Sequence, residues 1–172
     1  MKNFLHAMEK IDQNWSSALR EKLKYSPYNK LFPLIGHVGN AVVTLSICLA
    51  MIIFGNSTVR HIGIGALISL VISHIVVQGL KYAIRRQRPP EHVGQGNFSI
   101  LFDRYSFPSG HTTAAFSIAT SVSFSIPLLS VIAFPLAAMV GISRIYIGVH
   151  YPTDVFAGFT IATVTSLLLS FT

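Results

Sequence analysis

From Leu34 onward the chain alternates long apolar runs with short polar breaks, and the lengths of the runs predict helices that cross a membrane. Leu34 to Phe54 is 21 residues without a formal charge, about 31 Å as a helix, enough to cross a hydrocarbon core of about 30 Å. Gly55 to Arg60 makes a polar turn, and His61 to Tyr82 runs back with Lys81, at its very end, as its only full charge. Residues 109–147 hold 39 mostly apolar residues, which as one helix would reach roughly 58 Å, so they are expected to fold as a hairpin. The turn is placed at Ser125, Ile126 and Pro127, because proline removes a backbone donor and clashes with the preceding turn; Pro135 is expected to kink the second arm. A last span is predicted from Pro152, a residue suited to a first helical turn, to Phe171.

Residues 1–30 differ. Phe4, Leu5, Met8, Ile11, Trp15, Ala18, Leu19 and Leu23 recur at three- and four-residue steps, while Lys2, Glu9, Lys10, Gln13, Arg20 and Lys24 take the other side. That is an amphipathic helix too charged to span, expected in the interface plane with Trp15 at headgroup level. A soluble helix packed on the loops is the competing reading. A cleaved signal peptide is not expected, because no apolar core follows the basic start. The expected fold is thus an all-α integral membrane protein: an interfacial amphipathic helix over residues 1–30, then about five transmembrane helices forming one bundle over residues 31–172.

Composition agrees with this pattern. Of the 172 residues 51% are hydrophobic and only 11% charged, against about 25% charged in ordinary soluble domains. Thirteen Lys and Arg against six Asp and Glu leave a net charge of +7. In a soluble chain this excess would suggest nucleic acid; here it divides differently. Six of the basic residues lie in the N-terminal segment, and Lys81, Arg85, Arg86, Arg88, Arg104 and Arg144 fall on the one membrane face that five crossings assign to the 85–108 connection and the 148–153 turn. Arg60 alone is left for the far face. No nucleic-acid partner is expected; the charge reads as membrane anchoring plus an anion pocket. Cys48 is the single cysteine, which rules out a disulfide framework within the chain and a site built of several thiolates.

The same face collects the reactive residue types: Ser109 and His111, then His150 and Asp154. Ionisable groups beside a membrane are costly and point to function. Asp154 is the only acid after Asp103, too few carboxylates for a two-ion phosphatase, so neither a metal nor another cofactor is expected. What remains suits phosphoryl transfer without metal. Lysine and the guanidinium forks of arginine neutralise phosphate oxygens, most strongly where charge spreads in the transition state. Ser109, Gly110 and His111 follow Pro108 at a helix start, where free backbone N–H groups favour an anion and glycine allows close approach. A histidine nucleophile needs one nitrogen free and the other held by an acceptor, a part Asp154 can play for His150 four residues before it.

Three spacings carry a resemblance. Lys81 to Pro89 reads K-x6-R-P, Pro108 to His111 reads P-S-G-H, and Ser143 to Asp154 reads S-R-x5-H-x3-D. Together they resemble the signature motifs of the type 2 phosphatidic acid phosphatase (PAP2) superfamily, which also contains vanadium haloperoxidases and bacterial acid phosphatases. The resemblance covers residues 75–160. It implies that His150 is the nucleophile and forms a phosphohistidine, that Asp154 orients it, and that His111 protonates the leaving group and then activates water. It implies that Lys81, Arg88, Ser109, Gly110 and Arg144 hold the phosphate. Substrates such as phosphatidate, phosphatidylglycerophosphate or a prenyl diphosphate are implied. Many relatives have six spans, and here the in-plane helix takes the place of the first.

Competing readings concern function and individual residues. A non-catalytic lipid carrier or flippase could grip a headgroup with the same cluster, and a haloperoxidase could share the anion site, although those relatives resemble larger soluble proteins. Arg85, Arg86 and Arg104 are expected to anchor a helix end rather than act in catalysis. His37, Asn40, His74 and Gln78 are expected to hydrogen bond between helices, with a substrate path as the alternative. Phe98, Phe102, Tyr105 and Phe107 fit a lid over the site or interfacial anchors equally well. The positive-inside rule, applied literally, makes the motif face cytoplasmic. The resemblance implies a bacterial plasma-membrane protein with its site facing outward, and that is the expectation taken.

Overall fold

The computed structural model describes residues 2–27, 29–90 and 104–170, with side chains of the first helix from Glu9 onward. Among the described residues the regular structure is entirely helical: α1 (Lys2–Lys24), α2 (Leu31–Val38), α3 (Ala41–Phe54), α4 (Ser57–Ile84), α5 (Gly110–Ser125), α6 (Ser130–Tyr146) and α7 (Pro152–Ser170), with one 3₁₀ turn at Pro127–Leu129 before α6.

Helices α3, α4, α5 and α7 start where a side chain takes up a free backbone N–H. Asn40 Oδ1 accepts from Val42 N, and Asn56 Oδ1 accepts from Val59 N at 3.0 Å. The hairpin turn falls at Ile126–Pro127 as the apolar run required, and α6 continues through Pro135, which lies inside the helix. The predicted first span is corrected. It is not one straight helix but the pair α2 and α3, bent by 55°. The bend has two causes: Asn40 caps α3, and Gly39 lies against α5 and α6, where a Cβ would stand 2.7 Å from both the His111 carbonyl oxygen and Val140 Cγ1.

Among the described residues three helices are long and apolar enough to cross a bilayer, namely Ser57–Ile84, Pro127–Tyr146 and Pro152–Ser170; the bent pair is a fourth if taken as one span. α5, with 16 residues, reaches only about 24 Å. It runs through the middle of the bundle, packed on α4, α6 and α7. Phe116 of α5 meets the Phe159 ring edge-on at 4.8 Å and, with Ala119, Ala137 and Ala162, forms the core. Small polar pairs fasten the helices: Ser69 to Ser166 at 2.6 Å and Ser73 to Ser117 at 3.1 Å. Large side chains point outward instead, among them Ile75 on α4, Val131 on α6 and Leu168 on α7, as expected where the surrounding solvent is lipid.

α1 docks on α6 and α7. Its polar side faces the protein: Asp12 and Ser16 are buried, while Ile11 and Trp15 are 56% and 69% exposed.

Candidate active site

The third motif is assembled by a turn that only its glycine makes easily. α6 ends at Tyr146, and Gly148 takes φ 76°, the left-handed conformation favoured in glycine because it lacks a Cβ. The chain then doubles back, so that the N–H groups of Val149 and His150 both reach the Arg144 carbonyl, at 3.2 and 3.3 Å. That is why five residues separate Arg144 from His150: the interval is one helix-closing loop. Pro152 then starts α7, and Asp154, in its first turn, reaches back with Oδ2 to accept from Tyr151 N at 2.8 Å. The carboxylate thereby caps α7 and is held at the positive end of its dipole.

His150 and Asp154 are both buried, and His150 Nδ1 lies 3.6 Å from Asp154 Oδ2. This is longer than a hydrogen bond, yet it aims Nδ1 at the carboxylate and leaves Nε2 on the far side of the ring; such contacts often tighten when substrate binds. Arg88 donates to the Val149 carbonyl at 3.0 Å, which fixes the end of the first motif beside the nucleophile candidate. The second motif joins through its backbone, with Ser109 N donating to the Asp154 carbonyl at 3.0 Å. Ser109 is the N-cap of α5; its Oγ accepts the Thr112 hydroxyl at 2.9 Å and keeps its own proton for donation. Gly110 and His111 form the first turn of α5. Lys81, 4% exposed, sits in the last turn of α4, from which Arg85 to Pro90 lead into the site. Arg144 Nη1 lies near Gly36, where a Cβ would stand 3.4 Å from it.

Contacts thus join Arg88, Ser109, Arg144, His150 and Asp154 in one region, where α5 and α7 begin and α6 ends, and Gly110, His111 and Lys81 stand in the helix turns at the start of α5 and the end of α4. Several residues that belong to it were not foreseen. Arg86, expected to be an anchor, is the direct partner of Asp154, with Nη1 2.9 Å from Oδ1. Its Nη2 lies 2.6 Å from Asp12 Oδ2, and its guanidinium stacks over the Tyr151 ring at 4.2 Å. Burial opposes its charge, but the Asp154 and Asp12 carboxylates more than offset that and hold its pKa above the ordinary arginine value. Thr153 adds an acceptor for Arg86 at 2.6 Å and donates its N–H and hydroxyl to Asp12. Ser106 ties the far end of the connection back, donating to the Arg86 and Gln87 carbonyls at 2.9 and 3.0 Å.

Other expectations fare unevenly. His74 and Gln78 lie one turn apart on α4, 3.2 Å from each other, and a Cβ on Gly110 would stand 3.8 Å from His74 Cε1, so His74 borders the start of α5; Asn40 acts as a cap. Tyr105 meets Tyr82 edge-on at 6.3 Å. Phe98 and Phe102 lie outside the described residues. A cavity of about 680 Å³ opens between α1 and the start of the connection, lined by Gln13, Arg85, Arg86, Arg88, Phe107 and Tyr151 among others.

Known proteins share both fold and sequence. The chain superposes on the crystal structure of a transmembrane PAP2-type phosphatidylglycerolphosphate phosphatase from Bacillus subtilis with a TM-score of 0.74 and 28% identity, covering 95% of this chain and 85% of that one. For Aquifex aeolicus LpxE the TM-score is 0.75 at 26% identity, covering 93% and 94%. An undecaprenyl-diphosphatase of Sulfolobus acidocaldarius is 30% identical over 145 residues, 81% of this chain and 68% of the relative. A lipid A 1-phosphatase of Rhizobium johnstonii is 34% identical over 115 residues, 64% of this chain and 47% of the relative, so the chain spans about half the length of that protein. The PAP2 family model matches residues 45–171, which takes in all three motifs and every span after the bend, and the chain therefore belongs to the PAP2 superfamily.

Proposed function

We propose that this chain is a membrane lipid phosphate phosphatase working through a phosphohistidine, with His150 as nucleophile. The observation that carries the proposal is the buried His150–Asp154 contact, with Arg88 donating to the residue before His150 and the Arg144 carbonyl accepting from His150 itself. Asp154 holds the Nδ1 proton and directs the Nε2 lone pair outward. Nε2 attacks phosphorus, the P–N bond forms as the P–O bond to the lipid or its remaining phosphate breaks, and His111 gives its proton to the leaving oxygen. His111, now neutral, takes a proton from water, whose oxygen displaces His150 and releases phosphate. Lys81, Arg88 and Arg144 neutralise the equatorial oxygens, and Ser109 and Gly110 receive the phosphate at the α5 N-terminus.

The relatives' names support a phosphorylated lipid as substrate, spanning a lipid diphosphate and lipid A 1-phosphate; a phosphatidylglycerophosphatase B of Bacillus subtilis is also 40% identical over 68 residues, 33% of this chain and 34% of the relative. The bundle is read as five crossings, with α2 and α3 one bent span and α5 the short central one, shielded from lipid by its neighbours. Residues 1–30 lie in the interface plane, Ile11 and Trp15 toward lipid, and residues 31–172 form the phosphatase domain. The site is placed on the outer face of a bacterial plasma membrane; labelling of Gln95→Cys in intact cells by an impermeant maleimide tests this, and protection there with labelling in inverted vesicles refutes it.

Purified enzyme is assayed for phosphate release from phosphatidate, phosphatidylglycerophosphate, undecaprenyl diphosphate and farnesyl diphosphate. Activity toward at least one that is lost in His150→Ala supports the mechanism, and an active His150→Ala enzyme overturns it. Lipid binding or transfer without phosphate release from any of them would favour a carrier.

A further inference from the structure

We infer that Asp12, on the N-terminal helix and outside all three motifs, is a positioning residue for catalysis, acting on Asp154 through Arg86. The inference rests on the phosphatase reading above. Asp12 is 2% exposed although it sits on a helix with solvent on most sides. A carboxylate buried this far is costly unless paired, and Asp12 is paired twice over. Oδ2 meets Arg86 Nη2 at 2.6 Å and accepts the Thr153 hydroxyl, while Oδ1 accepts Thr153 N at 3.2 Å. Arg86 Nη1 then reaches Asp154 Oδ1 at 2.9 Å, and Asp154 Oδ2 faces His150 Nδ1.

The chain of contacts has one geometric consequence. The Arg86 guanidinium is planar, so fixing Nη2 on Asp12 fixes the direction from which Nη1 meets Asp154. That direction sets the rotation of the carboxylate, and so where its other oxygen lies relative to His150. The Tyr151 ring bounds Arg86 on one face, 4.2 Å from the guanidinium carbon, so loss of Asp12 frees it mainly within its own plane, toward the cavity beside it. α1 is thereby a strut of the active site as well as an interfacial helix. Its Asp12 contacts Thr153 at the start of α7, the helix that also carries Asp154.

The test uses the full-length enzyme and a substrate that it hydrolyses. Asp12→Asn keeps the shape and one of the two acceptors for Thr153 but loses the charge facing Arg86; Asp12→Ala loses all of these. Relative to wild type, kcat is expected to fall roughly 10-fold or more in Asp12→Ala and less in Asp12→Asn, with KM within about twofold in each, because the interaction acts on the chemical step. Asp12→Ala combined with Arg86→Gln should be no slower than Arg86→Gln alone, since one acts through the other. A folded Asp12→Asn or Asp12→Ala enzyme with wild-type kcat overturns the inference. So does a kcat loss that multiplies with that of Arg86→Gln, which would make Asp12 a fastening of α1 only. His150→Ala separates the two levels: if it is inactive while Asp12→Ala is normal, only the positioning role fails; if it is active, the underlying mechanism fails.

Discussion

Replacing Gly158 with alanine puts one methyl group between the two helices that carry the second and third motifs. The added Cβ would stand 2.7 Å from the Ser109 carbonyl oxygen, 3.0 Å from Thr113 Oγ1 and 3.3 Å from Thr112 Cβ. Ordinary contact begins near 3.4 Å, so α5 and α7 must part by roughly 0.7 Å, and the nearest atom is backbone that cannot rotate away. Ser109 is also tied to α7 one turn earlier, through its N–H on the Asp154 carbonyl at 3.0 Å, so the separation strains or breaks that bond. Overpacking of this kind costs about 1–3 kcal/mol of stability. A misplacement approaching 1 Å in a catalytic constellation costs up to about 100-fold in rate. The expectation is a 10- to 100-fold fall in kcat, read as phosphate release from detergent-solubilised enzyme, with the thermal midpoint lowered by a few degrees, each about what these magnitudes imply. Gly65→Ala and Gly79→Ala serve as controls, because a Cβ at either position of α4 meets nothing within 4 Å. These should keep full activity and gain up to about 1 kcal/mol from helix propensity. If Gly158→Ala retains activity within twofold of wild type, the close approach of α7 to Ser109 does not hold the site, and the reasoning fails.

Gly148→Ala should cost at least about 1 kcal/mol, because φ 76° strains any residue with a Cβ, and should slow turnover by moving His150 relative to Arg144; unchanged melting and rate would refute this. Phosphate release should persist in EDTA and fall with vanadate, which adopts the trigonal-bipyramidal geometry of the transition state; loss in EDTA restored by added metal would refute the metal-free reading. Arg86→Lys should lose most activity although the charge is kept, since an ammonium cannot span Asp12 and Asp154 in one plane; wild-type kcat would refute the bridging geometry. Ser69→Ala and Ser166→Ala should each destabilise by about 0.6 kcal/mol, and the double variant by no more than either alone, as measured by unfolding in mixed micelles.

The motif residues could be read from sequence because what places them is local. Ser109 caps the helix that it opens, Asp154 caps α7, and the interval from Arg144 to His150 is one glycine-closed loop. Each of these geometries is fixed within about ten residues, so spacing carries it. The apolar runs likewise gave the hairpin turn and the body of α4, because a lipid-facing surface must be apolar whatever the tertiary packing; α4 itself starts at Ser57, inside the expected polar turn, because Asn56 caps it there. The bend at Gly39–Asn40 was not visible in this way. Asparagine inside an apolar run reads equally as an interhelical donor or a cap, and only the approach of His111 and Val140 to Gly39 decides.

Arg86 shows the limit most sharply. Four basic residues lie within eight positions at the end of α4, and composition treats Lys81, Arg85, Arg86 and Arg88 alike as interfacial cations. Arg85, in the left-handed cap position, stays exposed, while Arg86 turns inward to two carboxylates. Its partner Asp12 is 74 residues away, on a helix whose apolar stripe said only that one side meets lipid. Hydropathy is summed along one helix and determines which face leaves water. Which buried charge finds which partner depends on how separate helices dock, since the cost of burial is offset only by the group that arrives opposite. The sequence by itself thus determined the apolar helical runs, the three motifs and the sparse acids. The tertiary structure alone decided that the N-terminal helix meets the site with its polar side and closes a chain of charge from Asp12 through Arg86 to Asp154.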